Sequence, residues 1–201
     1  MKMSNSETAL YKIAATQGGY FTAIQANKAG FSNKNHQYHV RAGNWIREWR
    51  GIYRLVRFPL PEDAQFSLWA VWSMNRKGSL QGVFSHETAL SLFELSDIQP
   101  KKIHMTVPRG YHRHSVIPKV LLLHHATIKP SEFEDRNGYR VTKPFKTIAD
   151  LIRARTVSPE FIEQAVHQAL DKGSLTHAQY RALKEKPRVG RKLIEVMGEH
   201  N

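Results

Sequence analysis

Cysteine is absent from the 201 residues, which excludes disulfides, thiolate metal sites and a cysteine nucleophile. Long apolar runs are absent too. The longest aliphatic stretch is Val120-Leu121-Leu122-Leu123, far short of the roughly 20 residues a membrane-spanning helix needs. The N-terminus is polar, without the apolar segment of a secretory signal, so the expectation is a cytoplasmic protein with no membrane partner. Acidic residues are the third scarcity: seventeen Asp and Glu face thirty Lys and Arg, a net charge of +13. The deficit is deepest at the front, where residues 1–60 hold nine basic and two acidic side chains. Nucleic acid is the partner such an imbalance most often serves. With 41% hydrophobic residues the chain has enough apolar material for a packed core, so disorder does not account for the charge.

Signatures of catalysis are also missing. There is neither a phosphate-cradling glycine loop nor a serine-nucleophile motif. Of the histidines, His112 and His114 share a face but have no third ligand at a diagnostic spacing. His124 and His125, adjacent in a strand, point to opposite faces. The acidic cluster Glu132, Glu134, Asp135 lies beside the turn signal Asn137-Gly138, and the next strand carries no acid-x-Lys pair, so it reads as a solvated turn. We therefore expect a non-enzyme with no catalytic residue, no metal and no cofactor.

What is present begins with the stretch GFSNKNHQYHVRAGNW, Gly30 to Trp45. Ser32 is a strong helix starter, and Gly43 stands where a helix should stop. At about 100° per residue, Asn33, His36 and Val40 share one face, with Lys34, Tyr38 and Arg41 opposite, flanked by Asn35 and Gln37. Two helices precede it. One starts at Ser6 and ends at Gly18-Gly19; the other is capped by Thr22 and terminated by Gly30. Afterwards the pattern alternates through Trp45–Trp49, turns at Arg50-Gly51 and alternates again through Ile52–Val56, a hairpin.

Three helices followed by a hairpin predict a winged helix-turn-helix over residues 1–60, whose third helix enters the major groove. Base edges and phosphates require donors, acceptors and cations. Lys34, Asn35, Gln37, Tyr38 and Arg41 supply them on the helix; Arg47, Arg50 and Arg54 supply the wing. The partner is then double-stranded DNA.

The string QGGYFTAIQANKAGFS…VRAGNWIREWRGIYRL resembles the N-terminal domain of AbiEi-type antitoxins, on Gly19-Tyr20-Phe21, Ala26 with Gly30, and the wing Arg50-Gly51-Ile52-Tyr53-Arg54-Leu55. SHETALSLFELSD, KKIHMTVPRG and VTKPFKTIADLI resemble successive blocks of that family's second domain. The resemblance implies a type IV antitoxin that represses its own promoter by binding operator repeats. It also implies that the protein counters a nucleotidyltransferase-like toxin, often without a stable complex, and can serve in phage defence. One departure is His36, where many relatives carry an aliphatic residue; it reads as a neutral imidazole packed inward rather than a sensor.

The rest of the chain, residues 61–201, reads as a mixed α/β domain beyond the stiff connector Phe58-Pro59-Leu60-Pro61, giving an α+β protein. Helices are expected at Asp63–Met74, Ser85–Leu95, Lys146–Ala154, Pro159–Leu170, Thr176–Lys184 and Gly190–Met197. Strands are expected at Lys102–Val107, Val120–Ala126 and Tyr139–Val141. The loop from Pro108 carries Arg109, His112 and Arg113 and closes at Lys119, a second set for nucleic acid or a partner. A further basic run is Lys184, Lys186, Arg188, Arg191 and Lys192. The alternatives are a DNA-processing enzyme whose second domain is a cryptic nuclease, and a stand-alone transcriptional regulator.

Overall fold

Capping residues set the first helices of the computed structural model, which describes residues 4–113 and 116–198. The Ser4 hydroxyl accepts from the Glu7 amide at 3.2 Å, and the Glu7 carboxylate accepts from the Ser4 amide at 2.8 Å, opening helix α1, Asn5–Ala15. Thr22 and Gln25 repeat this reciprocal pair at the start of α2, Ala23–Lys28. Between them Tyr20–Thr22 forms strand β1. Helix α3, Asn33–Arg41, follows Ser32, which takes the N-cap position without making a side-chain cap bond. Strands β2, Trp45–Trp49, and β3, Ile52–Leu55, turn at Arg50-Gly51, where Gly51 takes a φ of +74° that side chains rarely adopt. Strand β1 joins them antiparallel on β3, in the order β1-β3-β2.

The expected boundary near residue 60 is not where the first compact unit ends. That unit runs to Gly82 and takes in Asp135–Tyr139 from far along the chain. The reason is helix α4, Ala64–Trp72, in which Ala64, Ser67, Trp69, Ala70, Val71 and Trp72 are all buried. A helix apolar on so many sides needs cover all round. It packs on β1 and β3, and Trp69 meets Trp49 edge-on at 5.5 Å. The Asp135–Tyr139 segment adds to it: the Ser67 hydroxyl donates to the Asn137 carbonyl at 2.9 Å, and the Tyr139 hydroxyl donates to the Asp63 carboxylate at 2.8 Å. The proline connector is an internal link of this unit.

The second unit comprises residues 83–134 and the chain from Arg140 onward. The five-stranded sheet is made of β4 (Val83–Phe84), β5 (Ile103–Val107), β6 (Leu121–His125), β7 (Phe133–Arg136) and β8 (Tyr139–Thr142), in the order β6-β5-β4-β8-β7. Strand β4 runs antiparallel to β5 and parallel to β8, and β5 runs parallel to β6. The sheet is therefore mixed. Helix α5, His86–Leu92, follows β4, while α6 (Pro144–Ala154), α7 (Pro159–Asp171), α8 (His177–Glu185) and α9 (Gly190–Val196) close the chain. Leu90, Ile148, Leu151, Ile152, Val166, Leu183 and Leu193 form their common core. The chain is α+β, and no helix among the described residues is long and apolar enough to cross a membrane.

Candidate nucleic-acid interface

Helix α3 carries almost no aliphatic side chains, yet aromatic packing anchors it. His36 is buried, and its Nε2 lies 3.1 Å from the Phe31 carbonyl, so it donates there. The His39 ring stacks on Trp45 at 4.6 Å, and Phe31 and Phe21 meet Trp45 edge-on at 5.1 and 4.9 Å. Such ring pairs contribute about 0.5–1.5 kcal/mol each beyond the area they bury. Burial holds the His39 pKa below its ordinary value against the opposing Glu7 carboxylate. The inner face is thus His36, His39 and Val40. Asn33, expected on it, is exposed in the first turn and accepts from the Asn27 amide at 3.0 Å.

Every residue predicted for the outer face of α3 is there. Lys34, Asn35, Gln37, Tyr38 and Arg41 are exposed, Tyr38 to 66%. No acidic residue interrupts them. On the hairpin, Arg47 and Arg50 are exposed. Arg54 is not available in the same way: its Nε donates to Glu48 at 2.8 Å, and its side chain is only 13% exposed. A bulge between Arg47 and Trp49 leaves Glu48 without a cross-strand partner, and Arg54 takes it up. Pairing rules alone do not reveal this.

In the second unit, Arg109, His112 and Lys119 are exposed on the chain joining β5 to β6. Arg113 is partly buried, its Nη1 donating to the Tyr111 hydroxyl at 3.2 Å. His114 lies outside the described residues. Of the basic run near the C-terminus, Arg188, Arg191 and Lys192 line a concavity with Arg155, over an apolar floor that includes Ile152 and Ile162.

One constellation went unread in the sequence. His86, His104 and His124 come from α5, β5 and β6, and each offers a ring nitrogen within 4.8 Å of the others. His104 Nδ1 faces His124 Nε2 at 3.2 Å, and the His86 ring lies over that of His124 at 3.8 Å. Parallel pairing sets Thr106 beside His124 and His104 beside Leu122, so the two histidines share a sheet face one step apart. The Ser85 hydroxyl contacts His86 Nδ1 at 3.0 Å and Thr106 at 2.8 Å, and the Glu87 carboxylate lies 3.7 Å from His104 Nε2. Burial, reinforced by the neighbouring rings, pushes His86 down to about 3 and His124 to about 4; burial also lowers His104. Burial thus disfavours the charged form of all three rings. Their spacing of about 20 residues in sequence matches no ligand motif.

No family model matches the chain, and no curated protein does. Among solved structures it is similar to the RV2827C protein from Mycobacterium tuberculosis, at 13% identity and a TM-score of 0.58. That similarity covers 98% of this chain and 79% of the other. At so low an identity it is the α+β fold that the two share.

Proposed function

We propose that the N-terminal helices and hairpin act as a winged helix-turn-helix in a DNA-binding antitoxin that represses its own promoter. The carrying observation is the outer face of α3, where Lys34, Asn35, Gln37, Tyr38 and Arg41 stand exposed and unopposed by any acid. In the bound state α3 enters the major groove, where Gln37 reads an adenine edge and Arg41 a guanine edge. Arg47 and Arg50 on the hairpin neutralise phosphates. Arg54 plays no part in this contact, because Glu48 holds it.

The antitoxin half of the proposal rests on the sequence resemblance to AbiEi-type antitoxins. Two experiments test the two halves separately. Fluorescence anisotropy of the full chain on DNA upstream of its own gene should give specific binding that a scrambled duplex does not; equal affinity for both removes the repressor reading. Co-expression with an adjacent nucleotidyltransferase-like toxin should restore growth; no rescue by a folded, expressed chain removes the antitoxin reading and leaves a stand-alone regulator. Cleavage of labelled DNA in magnesium would instead favour the DNA-processing enzyme.

A further inference from the structure

We propose that His86, His104 and His124 form a three-nitrogen site for a divalent transition-metal cation of the zinc class. The argument starts from the 3.2 Å between His104 Nδ1 and His124 Nε2. Two nitrogens bound tetrahedrally to zinc at about 2.0–2.1 Å stand roughly 3.3–3.4 Å apart. The pair is therefore already at ligand spacing. The third nitrogen, on His86, lies within 4.8 Å of the other two and closes the remainder by side-chain rotation.

The rings are also held as ligands are held. Metal-bound imidazoles usually give their far N–H to a carboxylate or another oxygen, which fixes the tautomer. Here Glu87 stands near the far nitrogen of His104, and Ser85, itself bonded to Thr106, stands at Nδ1 of His86. That leaves lone pairs on His104 Nδ1 and His86 Nε2; His124 Nε2 then donates to His104 Nδ1 at 3.2 Å, and its proton moves to the ring's Nδ1 when a cation takes its place. The Lys146 ammonium is the nearby charge opposing a cation, and the Asp150 carboxylate, which pairs with it, also acts on His124.

Backbone strain is consistent with a purpose for His86. It is a non-glycine residue at φ +54°, a left-handed conformation that side chains rarely adopt. That conformation opens α5 and brings the His86 ring over His124. A bound cation would tie the start of α5 to β5 and β6, with a fourth position left for water, as in three-histidine sites.

The test uses tag-free, full-length protein stripped of metal by chelator. Calorimetric titration with Zn²⁺ should give one site per chain, and Co²⁺ should give the visible bands of four-coordinate cobalt. His124, at the edge strand and only partly buried, is the mild variant. His124→Ala and His86→Ala should each weaken zinc binding at least about tenfold and abolish the cobalt bands, while Glu87→Gln weakens it by about 10–100-fold. His125→Ala, on the exposed neighbour, should bind as the parent does. Circular dichroism melts without metal establish that each variant is folded. A parent that binds no zinc overturns the site whatever the variants do. So does zinc binding that survives both His86→Ala and His124→Ala in folded protein, or that is lost equally in His125→Ala.

Discussion

Arg54 donates its Nε to the Glu48 carboxylate at 2.8 Å across the β2–β3 hairpin, with both side chains largely covered. An arginine in that position is part of the hairpin's own structure. Arg54→Ala should therefore lower stability by about 1–3 kcal/mol, because it strands a half-buried carboxylate. It should leave the salt dependence of DNA binding unchanged. Urea melts beside anisotropy titrations check both. Unchanged stability with a flatter salt slope would put Arg54 on the phosphates after all.

Salt dependence counts the cations that do reach the backbone. With Lys34, Arg47 and Arg50 exposed and proposed for phosphates, the logarithm of the binding constant should fall by about 3 per log unit of salt, near 0.9 for each phosphate contact. Arg47→Ala and Arg50→Ala should each flatten the slope by about 0.9. A response flat in the parent would remove the electrostatic model.

Reading and positioning should separate by residue. Gln37→Ala or Arg41→Ala should cost about 1–3 kcal/mol on the operator and relax its sequence preference. Arg50→Ala, at the hairpin turn, should weaken operator and scrambled DNA alike. Helix variants that keep the parent's full preference would show that α3 is not the reading element.

Two glycines give a paired stability test. Gly51 and Gly138 both take positive φ, +74° and +86°, but a Cβ on Gly51 meets nothing within 4 Å while one on Gly138 would lie 2.9 Å from the Gln17 backbone. Gly51→Ala should cost only the conformational penalty, about 1–2 kcal/mol. Gly138→Ala should cost clearly more, since backbone on both sides must shift. Trp45, Trp49, Trp69 and Trp72 all lie in the first unit, so tryptophan fluorescence during urea unfolding reads it directly. Equal losses would mean that the Asn137-Gly138 turn is not seated as described.

Much of this architecture was legible because local signals carry it. Thr22 at the start of α2 and Arg50-Gly51 between alternating strands mark their elements within a few residues, whereas the first helix, expected from Ser6, opens at Ser4, because it is Ser4 that makes the reciprocal cap with Glu7. Strand β4 is two residues long and pairs Phe84 with Val141, and β7 is Phe-Glu-Asp-Arg, so neither has a period to detect. The turn at Asn137-Gly138 was correctly a turn, but its seat against Ser67 lies 70 residues away in sequence. The three histidines escaped notice for the same reason: sheet register, not spacing, assembles them. His124 was rightly separated from His125, and only the folded strands supply its other neighbours.

The return of Asp135–Tyr139 to the first unit has a consequence for how the chain matures. A nascent chain can form the helices and hairpin as soon as they leave the ribosome, but the place beside Gln17 and Ser67 that Gly138 fills stays empty until residue 138 is made. At about 5–20 residues per second, that wait after Gly82 is on the order of 3–11 s. During it, Ser67 and Asp63 lack the partners they have in the finished molecule. The N-terminal helices and hairpin are thus translated first and locked last, and a ribosome stalled between Gly82 and Asp135 would release them without their final clasp.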